Sequence, residues 1–513
     1  MKKRFFLFAI AALLVSGPGA TAAVEYEGYT NPAGDKFPIA VYDNVSINAT
    51  KNGQPLTEDE QKAYFKDIKE AFFNVVLWGK GNCNDSKTKN KWVPYLNSLG
   101  MNTIISSRGY SLTRSKTRYD ANTPDSILLQ DNWEGLKRVI TNYSQNPNVW
   151  GYWVTDEPGK PNLHKPVFEM EPYQVAVLPT FNRVHKFRGE KVAFANFAAV
   201  ADPSILGDFY TDDPDHPNPD IYIPNFENFL DYMVDELGLK FLTFDLYPVI
   251  HNEGAYGIGS GWVIKPFYYN MMDLYGRYCR DRKIPVWLTM LSVEHANYKL
   301  NGDLDWEYPE ITDGLLRLQA MNGLAFGMKG LLYWQYGAQG EKSGTTVYRS
   351  ALYDINKMET TPAWNAARTV NNEVAQYGSI LQHATYNRSC LSLHNSTSFF
   401  DGFERFSSPF ECLQNIEVGD TIPMTILLSH LVGDNGDYIA VVNQDHINSA
   451  DITLHFDKNI NNTRIIPALK VIEVFGIRDP GSTNIGEMNV GSEVKLVLKP
   501  GEMALFRYKY KNK

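Results

Sequence analysis

The feature that most constrains this chain is an alternation of two hydrophobic periods. Eight short apolar or β-branched runs fall at 37–45, 72–78, 101–107, 149–155, 191–197, 239–248, 284–291 and 330–336. The segments between them carry helical patterning, as in "TEDEQKAYFKDIKEAF", "SILLQDNWEGLKRVITNYS", "FYYNMMDLYGRYCRDRK" and "TDGLLRLQAMNGLAFG". Continuous apolar strands joined by crossover helices imply a parallel sheet covered by helices, and eight such units fit a closed (β/α)8 TIM barrel. An open doubly wound sheet is the alternative, weakened because no GxGxxG turn follows a strand.

A last helix, "TPAWNAARTVNNEVAQYGSILQ", carries proline at a permitted first-turn position and closes the eighth unit near Gln382. Beyond it "DYIAVVNQD", "ADITLHF", "KVIEVFG" and "EVKLVLKPGEMALFRYKY" alternate at period two between Gly, Asn and Asp turns, which predicts a small antiparallel β-sandwich. At the other end "MKKRFFLFAIAALLVSGPGATAA" has a basic start, an apolar run too short to span a bilayer, and Ala20-Thr21-Ala22 as a cleavage signal. The expected organisation is a signal peptide over 1–22, a barrel over 23–382 and a sandwich over 383–513. The mature protein is then periplasmic or extracellular, with no membrane span.

A formal net charge of -9 without a basic stripe argues against nucleic acid as a partner. The four cysteines, Cys83, Cys279, Cys390 and Cys412, and the ten histidines show no metal-ligand spacing, so neither a metal nor another cofactor is expected. Strand order puts Cys83 and Cys279 at opposite faces of the barrel. Cys390 and Cys412 are near enough in sequence to pair.

In such a barrel the C-terminal strand ends form the active face. The fourth run ends in Asp156-Glu157-Pro158, the sixth presents Asp245 and Tyr247, the seventh is followed by Glu294 and His295, the eighth ends at Trp334 and Tyr336, and the second ends at Trp78. Carboxylates and aromatics around one mouth are the composition of a sugar site, since glycosidic cleavage needs a proton donor, a second carboxylate and flat apolar faces for sugar rings. Asp156 is expected to orient rather than react, because adjacent residues on a strand point to opposite sides.

The stretch "GYWVTDEP" resembles the fourth-strand signature of barrel glycoside hydrolases of the clan A type, including family 42 β-galactosidase-like proteins. "AFFNVVLW" is similar to their second strand and "LQAMNGLAFGMKGLLYWQYG" to their last helix-strand unit, so the likeness spans most of residues 30 to 382. The resemblance implies a retaining mechanism with Glu157 as general acid/base and a seventh-strand nucleophile, for which Glu294 is the nearest acid; Asp245 is the rival. It implies an oligo- or polysaccharide substrate contacted by Asp156, Trp78, Tyr247, His295 and Trp334. Because Glu294 lies three residues beyond Leu291, a non-catalytic carbohydrate-binding barrel is the alternative reading. A polysaccharide lyase is a weaker one, for which His295 is the sole basic residue at a strand end.

Overall fold

The computed structural model describes residues 26–508 apart from 46–47, 52, 80–87, 107–132, 158–180, 183, 199–218, 252–261, 395–401, 420–422, 435 and 457–492. The expected signal peptide, Cys83, Pro158, the run "KVIEVFG" and most of the segment after the fifth strand lie outside the described residues. No helix among the described residues is long and apolar enough to cross a membrane.

All eight apolar runs are strands: β1 (Ile39–Asp43), β2 (Val75–Trp78), β3 (Asn102–Ser106), β4 (Val149–Asp156), β5 (Val192–Ala198), β6 (Leu242–Asp245), β7 (Val286–Leu291) and β8 (Leu331–Trp334). They pair in parallel and close in the order β1, β8, β7, β6, β5, β4, β3, β2. Around them run α1 (Glu58–Glu70), α2 (Val93–Ser98), α3 (Trp133–Ser144), α4 (Pro219–Leu237), α5 (Tyr268–Arg282), α6 (Asp313–Ala325) and α7 (Pro362–Leu381). Thr57 and Glu60 cap the start of α1 reciprocally, so two backbone donors that the helix cannot satisfy itself are met.

Alternation along each strand sorts its side chains between two cores. Outward residues such as Val76, Val154 and Phe244 join the barrel-helix layer, and inward ones fill the barrel. Its lower interior is aromatic: Trp150 stacks on Trp287 at 5.8 Å, Tyr29 closes the floor, and Trp150 Nε1 donates to the Thr30 carbonyl at 2.6 Å. Large rings at that end leave the polar inward residues of β5, β6 and β7 near the mouth.

The segments after β6, β7 and β8 build a structure that the sequence analysis does not anticipate, a six-stranded antiparallel lid sheet. Its order is Trp262–Ile264, Val249–His251, Leu304–Glu307, Glu294–Tyr298, Thr346–Ser350, Gln339–Ser343. After α7 come β9 (Thr385–His394), β10 (Leu413–Val418), β11 (Met424–Val432), β12 (Asp437–Asn443), β13 (Ala450–Phe456), β14 (Glu493–Leu498) and β15 (Met503–Tyr508). They form two sheets, β9-β11-β12-β15 and β10-β13-β14, which share one core and so make the expected sandwich. Cys390 and Cys412 are both buried in that core and are not joined by a disulfide. Burial lifts the Cys390 thiol to about 12, which suppresses the thiolate that disulfide exchange requires.

Candidate active site

β4 ends in an acid held on a turn. Glu157 has φ 45, the left-handed region, where a residue with a Cβ is strained by about 1–3 kcal/mol. Its N–H donates to the Asn196 carbonyl at 2.7 Å, which continues the β4-β5 pairing for one more residue. The left-handed turn cancels the alternation on which opposite directions for Asp156 and Glu157 were argued: both charges act on Asp245, and the Glu157 and Asp245 carboxyls are hydrogen-bonded to each other. Two carboxyls can share a hydrogen bond only if one keeps its proton. Asp245 is pushed well above the usual carboxylate range, first by burial and then by the charges of Glu157 and Asp156. Glu157 is exposed at the mouth.

Asn196, which is not among the residues expected from sequence, organises this group. Its Nδ2 donates to Asp156 Oδ1 at 3.0 Å and to Asp245 Oδ1 at 3.1 Å. Its Oδ1 accepts from Thr243 Oγ1 at 2.8 Å and Thr289 Oγ1 at 3.0 Å. Because the carboxylates accept and the hydroxyls donate, the amide has one consistent orientation. The available signal was parity: Val192, Phe194 and Asn196 share the inward face of β5, so an asparagine there points into the barrel near its mouth.

Aromatics flank the acids. Trp334 is half-buried, stacked on Tyr42 at 4.5 Å and edge-on to Trp153 at 6.2 Å. Tyr247 meets Tyr308 edge-on at 5.4 Å, and both phenols feel the charges of Asp245 and Glu157, which with burial hold them protonated. Lys265 Nζ donates to the Tyr308 hydroxyl at 2.9 Å from a buried position.

Three of the expected residues lie in other surroundings. Trp78 is fully buried and packs on Phe65 of α1 at 5.6 Å, so its ring belongs to the barrel-helix layer and offers no face to a sugar. The parity of β2 turns it outward together with Val76. His295 is buried in the lid sheet among Tyr348, Tyr308 and Trp306, with Nδ1 on the Val293 carbonyl at 2.9 Å. Burial lowers it to about 4, so it is a neutral packing residue at pH 7. Glu294 opens a lid strand and is held by Arg349 Nη1 at 3.0 Å. The neighbouring charges that shift Asp245 most are those of Glu157 and Asp156.

No protein-family model matches the chain, and no curated protein matches it. Solved structures of similar course include a family 39 glycoside hydrolase from Bacteroides cellulosilyticus, 11% identical, covering 93% of this chain and 82% of that one at a TM-score of 0.43. The endo-β-1,4-mannanase of Thermotoga petrophila is 10% identical, with 80% and 95% covered and a TM-score of 0.40. A putative α-L-fucosidase from Bacteroides thetaiotaomicron is 10% identical, with 71% and 99% covered and a TM-score of 0.41. The barrel assignment itself rests on the strand pairing above.

Proposed function

We propose that the chain is an exported glycoside hydrolase whose chemistry sits in the barrel at 23–382, of the clan A and family 42-like type that the "TDEP" motif suggests. The observation that carries this reading is the hydrogen-bonded Glu157–Asp245 pair at the mouth of a closed parallel barrel, with the half-buried Trp334 at the end of β8 on the same mouth. One carboxyl of such a pair holds a proton at neutral pH, which is the state a general acid needs. In the free site that proton rests on buried Asp245; it passes to Glu157 across the shared hydrogen bond, and Glu157, exposed and carried on the turn, donates it to the glycosidic oxygen while Asp245 is left as the carboxylate. Asp245, buried and fixed by Asn196, serves as the second carboxylate in place of Glu294, which Arg349 engages. Cleavage with retention requires carboxyls about 5 to 5.5 Å apart, so the pair parts as the sugar enters between them.

The same contact also favours a second reading, a non-catalytic glycan-binding barrel, because two touching carboxyls leave no room for an anomeric carbon until they separate. A panel of aryl glycosides and oligosaccharides with product analysis by NMR distinguishes the two. Hydrolysis that falls 100-fold to 10,000-fold in Glu157→Gln, the range for loss of a general acid, supports the enzyme. Asp245→Gly is then expected to be inactive and to recover turnover with azide, while Glu294→Ala keeps most of its rate. Azide rescue of Glu294→Ala instead would return the nucleophile to the lid strand, and binding with no turnover of any substrate would leave the second reading.

A further inference from the structure

The lid sheet carries a band of side chains that the acid pair does not use. Trp262 on its edge strand is 40% exposed, one of few large apolar side chains so open among the described residues. Its cross-strand partner is His251, whose own partner on the next strand is Glu307, so the three side chains rise from one face in one row. The His251 and Trp262 rings lie 5.4 Å apart, and His251 Nδ1 is 3.9 Å from Glu307 Oε1. The row continues to Ala296, whose small side chain lets Arg349 cross it. Arg349 Nη1 donates to Glu307 Oε2 at 3.1 Å and to Glu294 Oε1 at 3.0 Å, while Nη2 donates to the Tyr298 hydroxyl at 3.1 Å. The opposite face of the same strands, with Val263, Trp306 and Tyr348, packs on the barrel core, and on the band's own face the core reaches Val249 and Ile264 at the inner end of the first two strands. Within the band Trp262 and Arg349 are the open side chains, and His251, Glu307 and Glu294 are partly open beside them.

We infer that this band is a second carbohydrate-binding surface, distinct from the acid pair, which takes a stretch of a neutral polysaccharide. An open indole supplies the flat apolar face on which a pyranose ring stacks, and the ring contact with His251 keeps it from collapsing onto the sheet. Beside it stand donors and acceptors already fixed by one another, which sugar hydroxyls can meet at little cost in side-chain order. Two carboxylates against one guanidinium leave the band acidic, so it repels a polyuronate and admits an uncharged chain. The ligand class rests on the glycoside hydrolase reading, whereas the surface itself does not depend on turnover.

The test is affinity electrophoresis through native gels containing galactomannan, mixed-linkage β-glucan, galactan or polygalacturonate, run with Glu157→Gln so that nothing is cleaved. The parent is retarded by at least one neutral polymer and not by polygalacturonate. Adding Trp262→Ala weakens that retardation about ten-fold, adding Trp262→Phe restores much of it, and Ile447→Ala, an exposed apolar truncation elsewhere, leaves it unchanged; circular dichroism confirms that each variant is folded. No retardation by any neutral polymer, or equal retardation with Trp262→Ala, overturns the inference. Trp262-dependent retardation by a protein that turns over no glycoside removes the catalytic reading and leaves this one standing.

Discussion

At the scale of single residues, Asn196 and Asp245 set the charge of the site. Asn196 offers Asp245 one donated hydrogen bond, which favours the carboxylate, but burial and two neighbouring acids outweigh it and the proton stays. The consequence for stability has a definite sign. A carboxyl whose folded pKa lies above its unfolded value of about 3.9 binds more protons folded than unfolded, so stability falls as pH rises from the unfolded pKa through the folded one. Asp245→Asn keeps the acceptor for Asn196 and a donor for Glu157 while removing the titration. The melting temperature of the variant minus that of wild type is therefore expected to increase as pH rises above about 4 and to level off once the folded Asp245 ionises, by about 2–4 °C for each kcal/mol of relieved repulsion. A difference flat in pH would show that the pair does not share a proton. Sequence alone made Glu157 and Asp245 visible because acids at the ends of apolar strands are conspicuous. It left Asn196 hidden, because an amide inside a strand gains meaning only when parity and neighbouring strands give it partners.

At the scale of elements, what was legible depended on how strongly burial constrains composition. The barrel strands are covered on both faces, so they read as unbroken apolar runs. The lid strands are short, half-polar and paired across long stretches of chain, so Glu294 and His295 looked like loop residues although they open a strand. Helix pairing hides a similar dependence. Arg317 of α6 is 2% exposed and bonds Glu373 of α7 through two nitrogens, Nε to Oε2 at 2.8 Å and Nη2 to Oε1 at 3.1 Å, while Nη1 donates to the Pro500 carbonyl at 3.1 Å. Neither residue stands out in the amphipathic pattern of its helix. Replacing Glu373 by alanine leaves a buried guanidinium with its principal partner gone, which costs about 3–5 kcal/mol. Urea unfolding of Glu373→Ala should show a loss of that order, and a loss below about 1 kcal/mol would mean that water or Asp313 compensates Arg317.

At the scale of the whole molecule, that guanidinium already reaches the sandwich, and the packing explains why. The sheet β9-β11-β12-β15 is buried on both faces: Ile426, Leu428, Ile439 and Val441 point into the sandwich core, whereas Leu427, Leu431, Ala440 and Val442 join the core of the barrel. Asn322 of α6 and Gln444 exchange two hydrogen bonds of 2.9 Å, and Tyr269 of α5 donates to Gln444 at 3.0 Å. Such a contact needs close approach. A Cβ on Gly314, in the first turn of α6, would sit 2.3 Å from the His446 carbonyl oxygen and 2.9 Å from Pro500 Cβ, so only glycine admits the turns after β12 and β14. The strand pattern foretold the sandwich but not this interface, since a strand apolar on both faces does not say which face meets its own partner sheet. With one continuous core, barrel and sandwich are expected to unfold together in a single calorimetric transition. Gly314→Val, which forces α6 off the sandwich, should lower stability by about 1–3 kcal/mol or more through overpacking while leaving Gly302→Val, on an open lid turn with nothing near its Cβ, costing only its backbone strain. If Gly314→Val instead splits the endotherm in two while the upper transition keeps the wild-type temperature, the interface couples two bodies that fold independently, and the shared core is not what holds the barrel together.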